Sequence, residues 1–247
     1  MAYSVIPSEA VDISTQHHAY SVEGWRVLIH PQLLIKEREL TDVALDLLRT
    51  QLQEIIRVVP AEKVKQLRLV TLWFSPEYPG VPPRAEYHPG ADWLRENGRD
   101  PSMVKSVEFT NIKLFEKETQ RMPNFVLHEL AHAFHDRFLS QGFNNPEIKT
   151  AFEQAKSNHS YDNVDRWNGN GRSNTVERAY AITDPMEYFA ESTEAFFSRN
   201  DFFPFTRAEL HKHDPTIEKL LEKLWTKIQP LPSNTGKQLK QVEGSTP

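Results

Sequence analysis

Cysteine is absent from all 247 residues. No disulfide can staple the fold, and a bound metal would have to be held by histidine and carboxylate rather than thiolate. A run of about 18 apolar residues is also missing, which excludes a hydrophobic membrane-spanning helix. Positive charge is not in excess: 29 Lys and Arg face 34 Asp and Glu, for a formal net charge of −5. A nucleic-acid binder, which presents a basic face, is disfavoured. The opening stretch MAYSVIPSEAVD lacks a basic n-region and an apolar h-region, so no signal peptide is read there. A cytoplasmic protein and a secreted one whose leader has been removed both fit. No internal repeat is visible. What remains is a soluble, globular composition, 38% hydrophobic and 26% charged, long enough for one large domain or two small parts around a cleft.

Periodicity sets the expected elements. Residues 1–20 are weakly patterned and read as an N-terminal arm. Residues 24–30 read as a strand. Residues 39–59 carry Leu40, Val43, Ala44, Leu47, Leu48, Leu52, Ile55 and Ile56 at helical spacing, with Pro60 as the stop. The short apolar run 66–74 and the alternating, β-branched run 106–115 read as strands. Between them lies a loop rich in proline and glycine, with a short helix near residues 92–96. From Pro123, a helix runs with Leu127, Leu130, Ala131, Phe134 and Phe138 as its apolar stripe and Gly142 as its end. Helices follow over 146–157, 185–197 and 214–228, with a polar loop at 158–175. The expected fold is α+β: a small mixed β-sheet in the N-terminal half, a mainly helical C-terminal half, and a cleft between them. It forms a single domain over 21–229, divided at 122/123, with a flexible tail at 230–247.

The chemistry lies in HELAH, residues 128–132. His128 and His132 are one helical turn apart and point the same way, so both can reach one zinc ion at about 2.0–2.1 Å. Glu129 between them is placed to take a proton from a water on that metal. The other reading is a pair of capped or surface histidines on an amphipathic helix. A catalytic site needs a third protein ligand. His135 is a poor one, because it lies about 10 Å along the axis from His128; it reads as a packing residue or a support for a ligand. The better source is DPMEYFAESTEAFF, where Glu187, Glu191 and Glu194 share a face opposite Phe189 and Phe196. Glu187 is the candidate third ligand. Glu191, one turn later, is the candidate acceptor for the far nitrogen of a ligand histidine. Glu187 also occupies the capping-box position after Asp184, and a row of glutamates often marks a solvated face.

HELAH followed by EYFAE resembles the gluzincin metallopeptidases. Within them it resembles the group that holds the anthrax lethal factor catalytic domain and the Mlc titration factor A peptidases. The likeness spans about residues 106–200 and includes no part of residues 1–100. It implies a zincin-like fold, one Zn²⁺ per chain on His128, His132 and Glu187, and hydrolysis of peptide bonds in a peptide or protein substrate. That pattern also places a tyrosine seven residues before the third ligand. Here it is Tyr180, either a donor to the tetrahedral oxyanion or a core or cleft-wall aromatic. EYFAE stands where the group has EFFAE, and the interval between His132 and Glu187 is long enough for an added helix and the Asn/Gly-rich loop. The expected mechanism is metal-assisted hydrolysis with Glu129 as general base. A regulatory or binding protein built on the same scaffold with little turnover is the alternative, and a hydrolase of non-peptide amides is a third. The edge of the 106–115 strand is expected to pair with an extended peptide.

Overall fold

The computed structural model describes residues 17–226. In chain order the elements begin with strands β1 (His18–Val22) and β2 (Trp25–Ile29), then helices α1 (Pro31–Lys36), α2 (Arg38–Val58) and α3 (Ala61–Leu67). Strands β3 (Leu72–Phe74) and β4 (Ala85–Tyr87), helix α4 (Ala91–Glu96), strand β5 (Val107–Phe109) and helix α5 (Phe115–Arg121) follow. Helices α6 (Phe125–Phe138) and α7 (Pro146–Ser157) lead to the hairpin β6 (Val164–Arg166) and β7 (Thr175–Glu177). The last helices are α8 (Pro185–Phe197), α9 (Arg207–His213) and α10 (Pro215–Thr226). The mixed α+β expectation holds.

The main sheet has the order β1-β2-β3-β5-β4. β1 and β2 form an antiparallel hairpin, β2, β3 and β5 are parallel, and β4 runs antiparallel to β5 at the far edge. Glu23 and Gly24 both take positive φ at the hairpin turn, the geometry that matches the twist of two closely joined strands. Trp25, Val27 and Ile29 are fully buried on β2, and α2 contributes Ala44, Leu48, Leu52 and Ile55 to the same core. Its stripe is narrower than the spacing implied, since Leu40 and Val43 are exposed.

Four expectations change. Residues 18–20 belong to β1 rather than to an arm, paired along β2; residues 1–16 lie outside the described residues. Of the run 66–74, Gln66 and Leu67 close α3 and only Leu72–Phe74 is a strand. Of the run 106–115, only Val107–Phe109 is a strand, followed by a 3₁₀ turn (Ile112–Leu114) and the start of α5. Apolar runs this short fit a buried helix end as well as a strand, so periodicity alone does not separate them. β5 is also interior to the sheet, so the open edge belongs to β4. The fourth is the 158–175 loop, which contains β6 and leads into its partner β7. The expected tail at 230–247, and the end of the last helix at 227–228, lie outside the described residues.

α6 is buried on nearly every side; only Glu129, Asp136 and Arg137 retain partial exposure. Such a helix is a core element. Asn124 rather than Pro123 starts it, its side chain accepting the Leu127 N–H at 3.1 Å. α8 packs along it, and Trp225 of α10 stacks on Phe134 at 4.0 Å and lies near-parallel to Phe189 at 6.3 Å. At the other end, the buried Gln51 of α2 ties α6 down. Its Oε1 accepts the Val126 N–H at 3.1 Å, its Nε2 donates to Thr119 at 3.0 Å, and its carbonyl accepts from Asn124 at 3.3 Å. Replacing Gln51 with alanine leaves the buried Val126 N–H without its acceptor. The expected cost is about 1–3 kcal/mol, read as a lower urea midpoint at unchanged m. An unaltered midpoint would mean that Gln51 does not hold the start of α6.

Candidate metal centre

The i, i+4 spacing on α6 brings His128 and His132 together as the sequence requires, with their Nε2 atoms 3.1 Å apart. Glu187 arrives from the first turn of α8. Asp184 caps that turn, accepting the Met186 and Glu187 N–H groups at 2.8 and 3.0 Å, and Pro185 sits at the first helical position. Glu187 forms no capping box. Its Oε2 turns to the histidines, 3.1 Å from His128 Nε2 and 3.4 Å from His132 Nε2. Burial pushes the Glu187 carboxyl up, but the two imidazoles outweigh it and hold it well below the usual carboxylate range.

The three atoms form a triangle with edges of 3.1, 3.1 and 3.4 Å. A tetrahedral ion with ligands at about 2.0–2.1 Å has ligand–ligand edges of roughly 3.3–3.4 Å. Two imidazole nitrogens and one carboxylate oxygen converging in this way could hold a metal ion. The set contains only nitrogen and oxygen donors, as the absence of cysteine demands.

Beneath the triangle, His128 Nδ1 donates to Glu194 Oε1 at 2.8 Å. This bond fixes the tautomer and leaves the Nε2 lone pair facing the triangle. The sequence assigned the role to Glu191. Its nearest oxygen is 3.8 Å from Nδ1, beyond hydrogen-bond range, and its carboxyl turns to Asn200 instead. Glu194 stands two turns past Glu187, where α8 crosses closest beneath the ring. Burial pushes both carboxyls up, and Asp201 pushes both further. Asp201 is itself buried and paired with Arg121, with Arg166 Nε at 3.5 Å. This acid–arginine layer was not legible in the sequence.

Glu129 keeps one face toward solvent, and its Oε2 accepts the Tyr87 N–H at 2.8 Å. Burial raises its carboxyl, and the neighbouring histidines offset that in part. Tyr180 is 48% exposed, so it is not a core aromatic. Its hydroxyl lies 3.4 Å from Glu187 Oε1, and burial followed by the Glu187 charge pushes it up to about 12, so it remains a donor. A cavity of about 580 Å³ brings together His128, Glu129, His132, Glu187, Tyr180 and the β4 rim. Asp201 and Phe202 also line it. No protein-family model, curated protein or solved structure matches the chain.

His135 serves packing. It is fully buried between Phe143 and Phe189, at 5.1 and 4.9 Å, and neither ring nitrogen has a hydrogen-bond partner among the described residues. Burial, then the charges of His132 and Lys149, lowers its ring from 6.5 to about 3. The unfolded chain therefore binds a proton between those values that the native ring refuses. The stability this group contributes is intact above pH 6.5 and is lost as the pH falls toward 3. The slope is at most about 1.4 kcal/mol per pH unit. His135→Leu should flatten the acid limb in urea unfolding between pH 7 and pH 4, and raise stability at pH 7 by about 1 kcal/mol. Parallel pH curves for the two proteins would contradict this.

Proposed function

We propose that this protein is a zinc-dependent metallopeptidase with a zincin-like active-site cleft. The observation that carries the reading is the convergence of His128 Nε2, His132 Nε2 and Glu187 Oε2 beside a partly exposed Glu129 on the wall of an open cavity. Three ligands with a carboxylate base alongside suit a catalytic site, whereas a purely structural zinc site has four protein ligands and no need of a base.

His128, His132 and Glu187 would hold the zinc. Bound there, it supplies Lewis acidity, lowering the pKa of water and polarising a carbonyl. Glu129 takes the proton from the attacking water through its free oxygen and delivers it to the leaving amine. The rise in its pKa from burial suits a group that must both accept and return a proton. Tyr180, protonated at neutral pH, donates to the oxygen that becomes negative, a contribution of roughly 3–4 kcal/mol for a well-placed donor. The peptide lies along β4. Arg84 and His88 bond toward β5, which leaves the amide and carbonyl groups of Ala85 and Tyr87 on the open side. The Ala85 N–H and C=O and the Tyr87 C=O can pair with an extended backbone.

Two measurements test this. Metal analysis should find about one zinc per chain, and cleavage of a degenerate peptide library should fall by about a hundredfold or more in Glu129→Gln while zinc is retained. Zinc binding with function unchanged in Glu129→Gln would favour the binding-protein reading. No zinc under metal-replete conditions would overturn both readings. In chelator competition, Glu194→Ala should weaken zinc by roughly 10–100-fold and Glu191→Ala by much less. The reverse order would return the supporting role to Glu191.

A further inference from the structure

Glu129 sits on α6, but a hydrogen bond to its carboxylate comes from across the cavity, the 2.8 Å donation from the Tyr87 N–H of β4. β4 is a poor anchor by itself. It has three residues and, among the described residues, pairs on one side only. Tyr87 is held by its own side chain instead. Its hydroxyl donates to Asp136 Oδ2 at 2.6 Å. Asp136 lies on α6 seven residues after Glu129, two turns along the same face. One rim residue therefore grips the motif helix at two points, through its amide on Glu129 and through its phenol on Asp136.

The far point is itself braced. Lys105 Nζ reaches Asp136 Oδ2 at 2.5 Å. Lys105 takes a left-handed φ of 59° in the turn before β5, and its N–H donates to the His88 carbonyl at 2.7 Å. The Tyr87 ring is 6% exposed and packs edge-on against Phe143 at 6.3 Å. Rim, turn and helix close into one loop of contacts.

We infer that Tyr87 is a positioning residue for Glu129: the amide fixes one carboxylate oxygen, and the phenol on Asp136 fixes the amide. The catalytic consequence rests on the peptidase reading; the clamp itself does not. With Oε2 occupied, Oε1 is the oxygen left for the water, and the rotation that would carry the base away from it is blocked. A base misplaced by about 1 Å can cost a hundredfold in rate. The clamp also narrows how a peptide can lie on β4, because the Tyr87 N–H is already committed.

Tyr87→Phe keeps the ring, its packing and the backbone amide, and removes only the hydroxyl. Asp136→Asn weakens the same bond from the other partner, which guards against a fold defect peculiar to one variant. Both would be studied as zinc-loaded full-length chain. The expected result is hydrogen exchange at the residue 87 amide faster by about tenfold or more in both variants and in Glu129→Ala. In Tyr87→Phe and Asp136→Asn, kcat on a library-derived peptide should fall by roughly tenfold or more, with zinc affinity kept and KM changed less. A lower melting temperature with kcat and amide exchange at wild-type values would assign Tyr87 a purely structural role and overturn the inference. If the wild-type protein cleaves no peptide, the peptidase reading fails, and the exchange rates still decide whether Tyr87 holds Glu129.

Discussion

The hydrogen bond from His128 Nδ1 to Glu194 lies buried between α6 and α8, and the geometry of the candidate site depends on it. Taking a carboxylate out of water costs several kcal/mol, so Glu194 persists there only with a partner. The imidazole supplies one and is oriented in return. Glu129, Glu187 and Glu191 add three more carboxyls to the same region. Burial pushes Glu129, Glu191 and Glu194 toward the neutral form, and the imidazoles can offset the Glu187 charge only by protonating, which removes the lone pairs that face it. A divalent ion in the triangle would balance two charges and leave both rings neutral, and the layer of Asp201 with Arg121 and Arg166 closes the account of charge below.

The spacing of α6 and α8 decides whether Glu194 can reach the ring, and that spacing is set away from the chemistry. Phe134, Phe189 and Trp225 stack between α6, α8 and α10, while Gln51 pins the start of α6 to α2. The opposite rim has a different support. β4 and β5 are three residues each, and behind them Glu108 accepts from Arg99 at 2.8 Å and Tyr78 at 2.8 Å and pairs with His88 at 2.9 Å. Burial pushes the Glu108 carboxyl up, yet its hydrogen bonds, that with His88 foremost, prevail and hold it below its ordinary value. A strand too short to fix itself is locked by a buried polar cluster whose members come from the long loop before β5. Supporting shells of this kind determine how tightly functional groups are placed.

HELAH was legible because a helix converts sequence spacing directly into spatial spacing: residues four apart meet wherever the helix goes. Glu187 was legible for the same reason, once Asp184 and Pro185 marked the start of α8. The choice between Glu191 and Glu194 was not, since it depends on where a second helix crosses the first, and both residues share a face in sequence. Tyr87 left no signal, because its contact with Glu129 is made by a backbone amide that any residue except proline would offer. The runs 66–74 and 106–115 misled for a further reason. The first is a short apolar run and the second alternates in sequence, and at this length neither pattern separates a strand from a buried helix end.

A fold alone does not specify a reaction, which is carried by the site built on it. The proposed chemistry needs two buried helices at a fixed separation, one rim strand, and a base held from outside its own helix. α6, α8 and β4 supply these, and α2, α10 and the Glu108 cluster supply the rigidity. The helices that carry the candidate ligands and the strand proposed to hold substrate meet at Glu129, whose carboxylate belongs to the helix and accepts its hydrogen bond from the rim. Movement of β4 on binding a peptide would therefore reach the base directly, through one hydrogen bond, without any change in the metal ligands.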